Sequence, residues 1–260
     1  MELIAGAVAA IATVVLASKH WPIREGTGEG LLGISKPLVH RKRSFTVGTY
    51  NIHRTRGLDG KRDIRRIAQV IEGYDLIGMQ EVEGPGFRSF RNQASQLGEQ
   101  CGYAVHFSPT RRRCFFPHRG NALLSRLPVT NWHREPLSPT TGKAYRNLTT
   151  YTIRIDGEAV HIINTHLSKP EEQSAPLHRV LEVLQSLERV VLLGDFNATP
   201  EYPALQQLRN LGVVDAISVN DQDSSRVDWI LVRGLTVQWA RSEPAGPSDH
   251  PFYAACLSFD

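Results

Sequence analysis

The 260-residue chain has only three cysteines, Cys101, Cys114 and Cys256, and no C-x-x-C pair. An odd, scattered set supplies neither a disulfide framework nor a thiolate zinc site, so the three read as core or surface thiols. No run of 18 apolar residues occurs, which excludes a multi-span membrane protein. Heptads, internal repeats and low-complexity tracts are also missing, so neither a fibre nor a disordered chain fits, and no protein partner is inferred. Charge of one sign is in small excess only: 30 Lys and Arg face 26 Asp and Glu, a net of +4. That surplus favours an anionic partner, whether nucleic acid, a phospholipid surface or a phosphorylated small molecule, without choosing among them. What is present, 41% hydrophobic and 22% charged residues, suits a globular chain. At this length such a chain buries roughly 70% of its unfolded surface around its core.

Residues 3–17 (LIAGAVAAIATVVLA) are almost wholly apolar. Their helix would be about 22 Å long, short of the roughly 30 Å hydrocarbon core. Several readings stay open: a membrane anchor or interfacial helix, a cleaved signal ending at Val15-Leu16-Ala17, or else a packed helix or a mis-chosen start. Against the signal, Glu2 precedes the stretch and no lysine or arginine does. Lys19, Arg24 and Arg41-Lys42-Arg43 follow it, so an inserted segment would keep the rest on the cytoplasmic side. The expected location is therefore cytoplasmic, or at the inner membrane facing the cytoplasm. The Gly-rich segment REGTGEGLLGISK makes residues 19–43 a linker, with a catalytic domain over 44–260.

Beyond Arg43, strand and helix patterns alternate. SFTVGTYNI has apolar residues at period two, and Ile64, Ile67, Val70 and Ile71 share one helical face. Apolar runs follow at LIGMQ, NALLS, LTTYTIRI, AVHIINTHL, RVVLLGDFN, RVDWILV and FYAACLSF, with helices expected at 174–187 and 202–211. The pattern predicts an α/β sandwich of two mixed β-sheets packed face to face with helices on both outer faces.

Polar residues close many of these runs: Asn51 and His53, Glu81, Asn121, His166, Asp195 and Asn197, Asp228, then Asp249-His250. Hard oxygen donors such as Glu81, Asp195 and Asp249 suit Mg2+ or Mn2+ rather than zinc. Two histidines far apart in sequence provide a base for water and an acid for a leaving oxygen, as in-line attack on phosphorus requires. Singly, an Asn or Asp at a strand end is more often a turn former or a helix cap.

TYNIH, MQEVE, GNALLSRLPV, NTHL, GDFN, RVDWILV and SDHPF, in that order, resemble the endonuclease/exonuclease/phosphatase superfamily over residues 45–260. The resemblance implies a four-layered, DNase I-like α/β sandwich and divalent-metal-dependent hydrolysis of phosphate esters. It makes Glu81 the principal metal ligand, with Asn51 at its corner and Asp249 as a metal-proximal carboxylate. Asp195 and Asn197 would position the nucleophilic water and a phosphate oxygen. His250 would be the general base, oriented by Asp228, and His166 would face the leaving group, as in the deoxyribonuclease and sphingomyelinase branches. Arg146, Asn121 and Arg54 would contact phosphate. The stretch Phe116-Pro117-His118-Arg119 departs from the tyrosine and glutamate that the pancreatic deoxyribonuclease branch carries there. The wording is closest to sphingomyelinase-like and membrane-associated bacterial members. The leading expectation is thus a phosphodiesterase on a lipid-linked or small phosphodiester, with a nuclease as the same-site alternative and a silent membrane-tethered binding module as the third.

Arg111-Arg112-Arg113 with Cys114-Phe115-Phe116 reads as a basic, aromatic loop suited to a nucleic-acid backbone or an anionic lipid surface, or as a basic loop with a phenylalanine in the core. Trp21, Trp132, Trp229 and Trp239 read as core or sheet-face residues.

Overall fold

The computed structural model describes residues 6, 8, 11–16, 19–33, 43–86, 89–114, 116–138, 145–219 and 223–259. Two seven-stranded sheets make up most of it. From edge to edge the first runs β1 (His20–Pro22), β5 (Ala104–Arg113), β6 (Arg119–Ser125), β4 (Leu76–Glu83), β3 (Ser44–Asn51), β14 (Phe252–Ser258) and β13 (Thr236–Glu243). The second runs β11 (Val214–Asp215), β12 (Asp228–Arg233), β10 (Val190–Asp195), β9 (Glu158–His166), β8 (Arg146–Ile155), β7 (Val129–Leu137) and β2 (Gly26–Glu29). Each sheet is mixed: β3 pairs β4, and β9 pairs β10, in parallel, within otherwise antiparallel ladders. The sandwich expected from the sequence is the observed architecture.

Strands buried on both faces explain the near-continuous apolar runs. In β3, Phe45 and Val47 point between the sheets and pack with Leu123, Tyr151, Ile162, Leu193 and Ile230. Tyr50 belongs to the opposite face, against α1 (Ile64–Ile71) and α2 (Gln93–Cys101), where it meets Ile67, Ile71 and Leu97. On the far side α3 (Ser174–Ser186) lays Leu177, Val180, Leu181 and Leu184 over Ile163 and Leu192. Layer order is therefore helix, sheet, sheet, helix. Asp63 and Asn92 cap the first two helices by accepting from Arg65 N–H at 2.9 Å and Ser95 N–H at 2.7 Å. Residues 202–211, expected as one helix, divide into a four-residue α4 (Pro203–Gln206) and a 3-10 turn (Gln207–Leu211) closed by left-handed Gly212.

The segment expected as a linker is partly folded onto the body. β1 continues one sheet beside Arg111–Arg113, β2 edges the other against β7, and Ile23 between them is 6% exposed. A three-residue β1 and a glycine-rich β2 carry no strand pattern of their own, and each borrows its order from the strand it pairs with. Residues 34–42 and much of 1–18 lie outside the described residues; 11–16 are helical, with Ile11, Val14, Val15 and Leu16 exposed. Among the described residues no helix is long and apolar enough to cross a membrane.

One polar tie fixes the two sheets beneath their common end. Asn164 on β9 donates its amide to the Met79 and Ala122 carbonyls of the opposite sheet, at 3.2 and 2.9 Å, and accepts from Gln80 at 2.8 Å. A Cβ on Gly78 would press on that amide, so the position suits glycine alone. The cysteines are free thiols, as the sequence suggested.

Candidate active site

Register carries the polar strand ends to one edge of the sandwich. Asp195 closes β10 opposite both His166, the last residue of β9, and Asp228, the first of β12. Asn51 closes β3 beside Gln80, and Glu81 follows on β4. Arg146 opens β8, Asn121 lies near the start of β6, and His250 precedes β14. Together Asn51, Glu81, Asn121, Arg146, His166, Asp195, Asn197 and His250 line a cavity of about 310 Å³.

At its floor, His250 Nδ1 lies 2.7 Å from Asp228 Oδ2. Asp228 is itself 2% exposed and sits behind the imidazole rather than in the cavity wall. With Nδ1–H donated to that carboxylate, Nε2 faces the cavity, 3.8 Å from Asp195 Oδ2 and 3.5 Å from the Asn51 amide. Burial opposes charge on His250, but the hydrogen bond and charge of Asp228, helped by Asp195 and Asp249, outweigh it and push its pKa up to about 9. Burial, and then their mutual repulsion in the case of Asp195, raises both buried carboxylates above the usual range.

His166 behaves oppositely. It lies 3.4 Å from Asp195 Oδ2 and 3.3 Å from the Asn197 amide, 8% exposed. Burial, then the positive charges of Arg146 and His250, hold it well below the ordinary imidazole range, so it is neutral at rest. A neutral imidazole there can exchange hydrogen bonds with a phosphoryl or leaving oxygen.

Backbone strain concentrates here. Five of the six non-glycine residues with positive φ among the described residues are His53, Arg54, Thr55, Glu81 and Asn197. Glu81 adopts φ 53° inside a register shift between Met79 and Val82, which turns its carboxylate out of the strand alternation and into the cavity. Asn197, at φ 50°, directs its N–H to Asp195 Oδ1 at 2.9 Å and its amide to the Leu167 carbonyl. Arg54 places Nε 3.6 Å from Glu81 Oε2 at the edge of the site, outside the cavity wall.

This donor set fits a hard divalent cation. Glu81, Asp195 and the Asn51 amide all line the cavity and offer oxygen donors, and burial raises the Asp195 carboxylate, a cost that a bound cation would offset. Asp195, Asp228 and His250 also present ligand atoms within 4.8 Å of one another, but the Asp228–His250 bond already uses that pair. Asp249 is not where the sequence reading put it. It is exposed, with Oδ2 3.1 Å from His53 Nδ1, and does not line the cavity; it lies in the bent segment between β13 and β14.

Five cavity residues were not assigned a site role from sequence: Thr110, Arg111, Arg119, Gly120 and Tyr145. Arg111–Arg113 were read as a loop, yet they end strand β5. Arg111 turns inward and is 9% exposed, Arg112 is exposed, and Arg113 lies over the Phe116 ring at 4.3 Å. Phe115 lies outside the described residues. Consecutive arginines gave no hint of which one faces in; that depends on strand register.

The sequence profile of the endonuclease/exonuclease/phosphatase family matches residues 48–250, most of the chain. The chain belongs to this family. Its enzymes are hydrolases of phosphoesters and generally depend on a divalent metal. No curated protein matches the sequence significantly. Among solved structures, a family member from Beutenbergia cavernae is 23% identical with a TM-score of 0.68, covering 84% of this chain and 72% of its own. The human Nocturnin catalytic domain, solved with bound sulfate, is 20% identical with a TM-score of 0.65, covering 92% and 99%. A mannosyl-6-phosphatase from Bacteroides thetaiotaomicron is 19% identical with a TM-score of 0.65, covering 83% and 100%. At these identities the likeness is one of fold.

Proposed function

We propose that this member of the endonuclease/exonuclease/phosphatase family is a Mg2+- or Mn2+-dependent phosphodiesterase acting on a small or lipid-linked phosphodiester. The observation that carries the reading is the Asp228–His250 pair, 2.7 Å apart, aimed into a cavity whose other walls are Glu81 and Arg146. His250 Nε2 takes the proton of the attacking water, and Asp228 holds the imidazole in the required tautomer and stabilises the cation that results. Asp195 and Asn197, locked together by a backbone hydrogen bond, position that water and one phosphoryl oxygen. Asn121 and Arg146 face the remaining oxygens, and neutral His166 hydrogen-bonds on the leaving side. Glu81, with Asn51 beside it, would hold a divalent cation, whose positive charge would act on the phosphoryl oxygens and offset the carboxylates that keep a proton on His250. The cavity volume of about 310 Å³ supports a small substrate group. The exposed apolar residues of 11–16 support a lipid-linked source and association with the cytoplasmic membrane face.

The test is hydrolysis of bis(p-nitrophenyl) phosphate and its monoester by the full chain, with magnesium, manganese or EDTA, beside His250→Ala. Metal-dependent diester cleavage that is lost in the variant supports the reading. Preference for the monoester makes the chain a phosphatase, and efficient cleavage of plasmid DNA by the same site makes it a nuclease.

A further inference from the structure

The cavity has a second, cationic side that single-phosphate chemistry does not use. Arg111 on β5 and Arg119 on β6 are direct cross-strand partners in an antiparallel ladder, and both line the cavity. Like charges placed opposite one another destabilise a sheet, and burying them adds to the cost. Burial first, then the charges of Arg119, Arg113 and Arg146, pushes Arg111 down to about 10. Arg119 is lowered by burial and by Arg54. Among the described residues no carboxylate lies within ion-pair distance of Arg119 or Arg146. The fold also takes a special step to produce this pair. A register irregularity between Pro109 and Arg111 leaves Thr110 as the extra residue, its hydroxyl bonded to the Arg119 carbonyl at 3.1 Å, and returns Arg111 to the cavity side. Two guanidiniums from paired positions in one cavity lining bring two positive charges and several N–H donors, the chemistry that suits a phosphoryl group.

We propose that Arg111 and Arg119 form a second anion subsite, which takes an additional phosphoryl group carried by the substrate beside the one that is cleaved. The substrate class is then a bisphosphorylated small molecule or head group, entering with its scissile phosphate toward His250 and its second phosphate against the arginine pair. This rests on the phosphodiesterase reading for the first phosphate only.

The experiment is calorimetric titration of the full chain in EDTA with inorganic pyrophosphate and with orthophosphate, so that turnover is not required. Pyrophosphate is expected to bind about tenfold or more tightly than orthophosphate. Arg119→Gln removes most of that margin, whereas Arg112→Gln, which deletes the same charge from an exposed neighbour, keeps it. Arg119→Gln also melts no lower than the wild type, because it relieves like-charge repulsion. An equal effect of the two variants, or no margin in the wild type, overturns the subsite. Displacement of pyrophosphate by thymidine 3′,5′-bisphosphate indicates a soluble substrate. Displacement by phosphatidylcholine vesicles carrying phosphatidylinositol 4-phosphate indicates a lipid-borne one, and displacement by neither counts against the proposal. A protein that binds pyrophosphate in this manner yet cleaves no diester refutes the hydrolase reading alone; cleavage without the margin refutes the subsite alone.

Discussion

Replacing Asp228 by Asn removes the carboxylate that holds His250 but leaves a side chain of the same size. In the folded protein His250 is pushed from 6.5 up to about 9, and the 2.7 Å bond to Asp228 is the largest contribution in that direction. A rise of that size corresponds to about 3 kcal/mol of preference for the imidazolium, an order-of-magnitude figure net of the burial that opposes it. With the carboxylate gone, burial acts on the imidazole with less opposition, and His250 in the metal-free variant should titrate much nearer to 6.5. The linkage has a definite sign. Because the folded value lies above the unfolded one, His250 contributes stability that is complete below about pH 6.5 and lost as pH rises through about 9. Above that pH, Asp228 is left as a buried anion facing a neutral ring. The stability advantage of the wild type over Asp228→Asn, measured by denaturant unfolding in EDTA, should therefore be largest near pH 6 and shrink toward pH 10. Nitrogen-detected titration of the imidazole provides the direct check. On bis(p-nitrophenyl) phosphate at saturating metal, the variant should lose about a hundredfold to ten-thousandfold in kcat. A His250 titration unmoved by the substitution, or a stability gap constant across this pH range, would refute the coupling on which the base assignment stands.

Other perturbations separate the remaining roles. Glu81→Gln should raise the metal concentration for half-maximal activity by about tenfold or more, while saturating metal restores part of the rate; an unchanged metal titration removes Glu81 from the ligand set. His166→Asn should lower kcat without moving the acid limb of the pH–rate profile, since His166 is already neutral there; a shifted limb would mean that it titrates in the working range. Gly120→Ala should destabilise the protein by about 1–3 kcal/mol in urea unfolding, because its Cβ would press on the Ser108 carbonyl of the neighbouring strand. Deleting residues 1–33 should lower the melting temperature, because it strips an edge strand from each sheet and exposes the core that Ile23 covers; deletion of 1–18 should leave it nearly unchanged.

Much of this site was legible because its chemistry sits at strand ends, where an apolar run and the polar residue that stops it are adjacent in sequence. Asn51, Glu81, His166, Asp195 and Asn197 were found that way, and the structure brings all of them to one cavity. The helix expected at 174–187 appears as Ser174–Ser186, since its apolar spacing is intrinsic to the segment. Features that depend on pairing between distant segments were hidden. Asp228 and Asp249 look alike in sequence, but one is sealed behind His250 and the other faces solvent with His53. Asn164 read as part of the NTHL motif, whereas its side chain ties the two sheets together. The strands within 19–33 carry too little apolar alternation to announce themselves.

The two irregularities flanking β6 explain why the cavity divides into two chemical halves. On one side the shift between Met79 and Val82 turns Glu81 inward, and on the other the shift between Pro109 and Arg111 does the same for an arginine. A regular ladder alternates its side chains strictly, so it would have sent one of each neighbouring pair to the wrong face. Each extra residue breaks that alternation once, at the end of the sheet where the polar residues gather and nowhere deeper in the core. The result is one cavity lined both by carboxylates suited to a cation and by guanidiniums suited to anions, with His250 in the same lining. Neither set of charges is a low-energy arrangement by itself: burial first of all raises the proton affinity of Asp195 and lowers that of Arg111 and Arg119. Their mutual attraction across the cavity offsets part of that cost, and a cation and a phosphorylated ligand would neutralise the remainder. The strain is therefore best understood as pre-organisation, with binding affinity gained from charges that the fold has already desolvated and aimed.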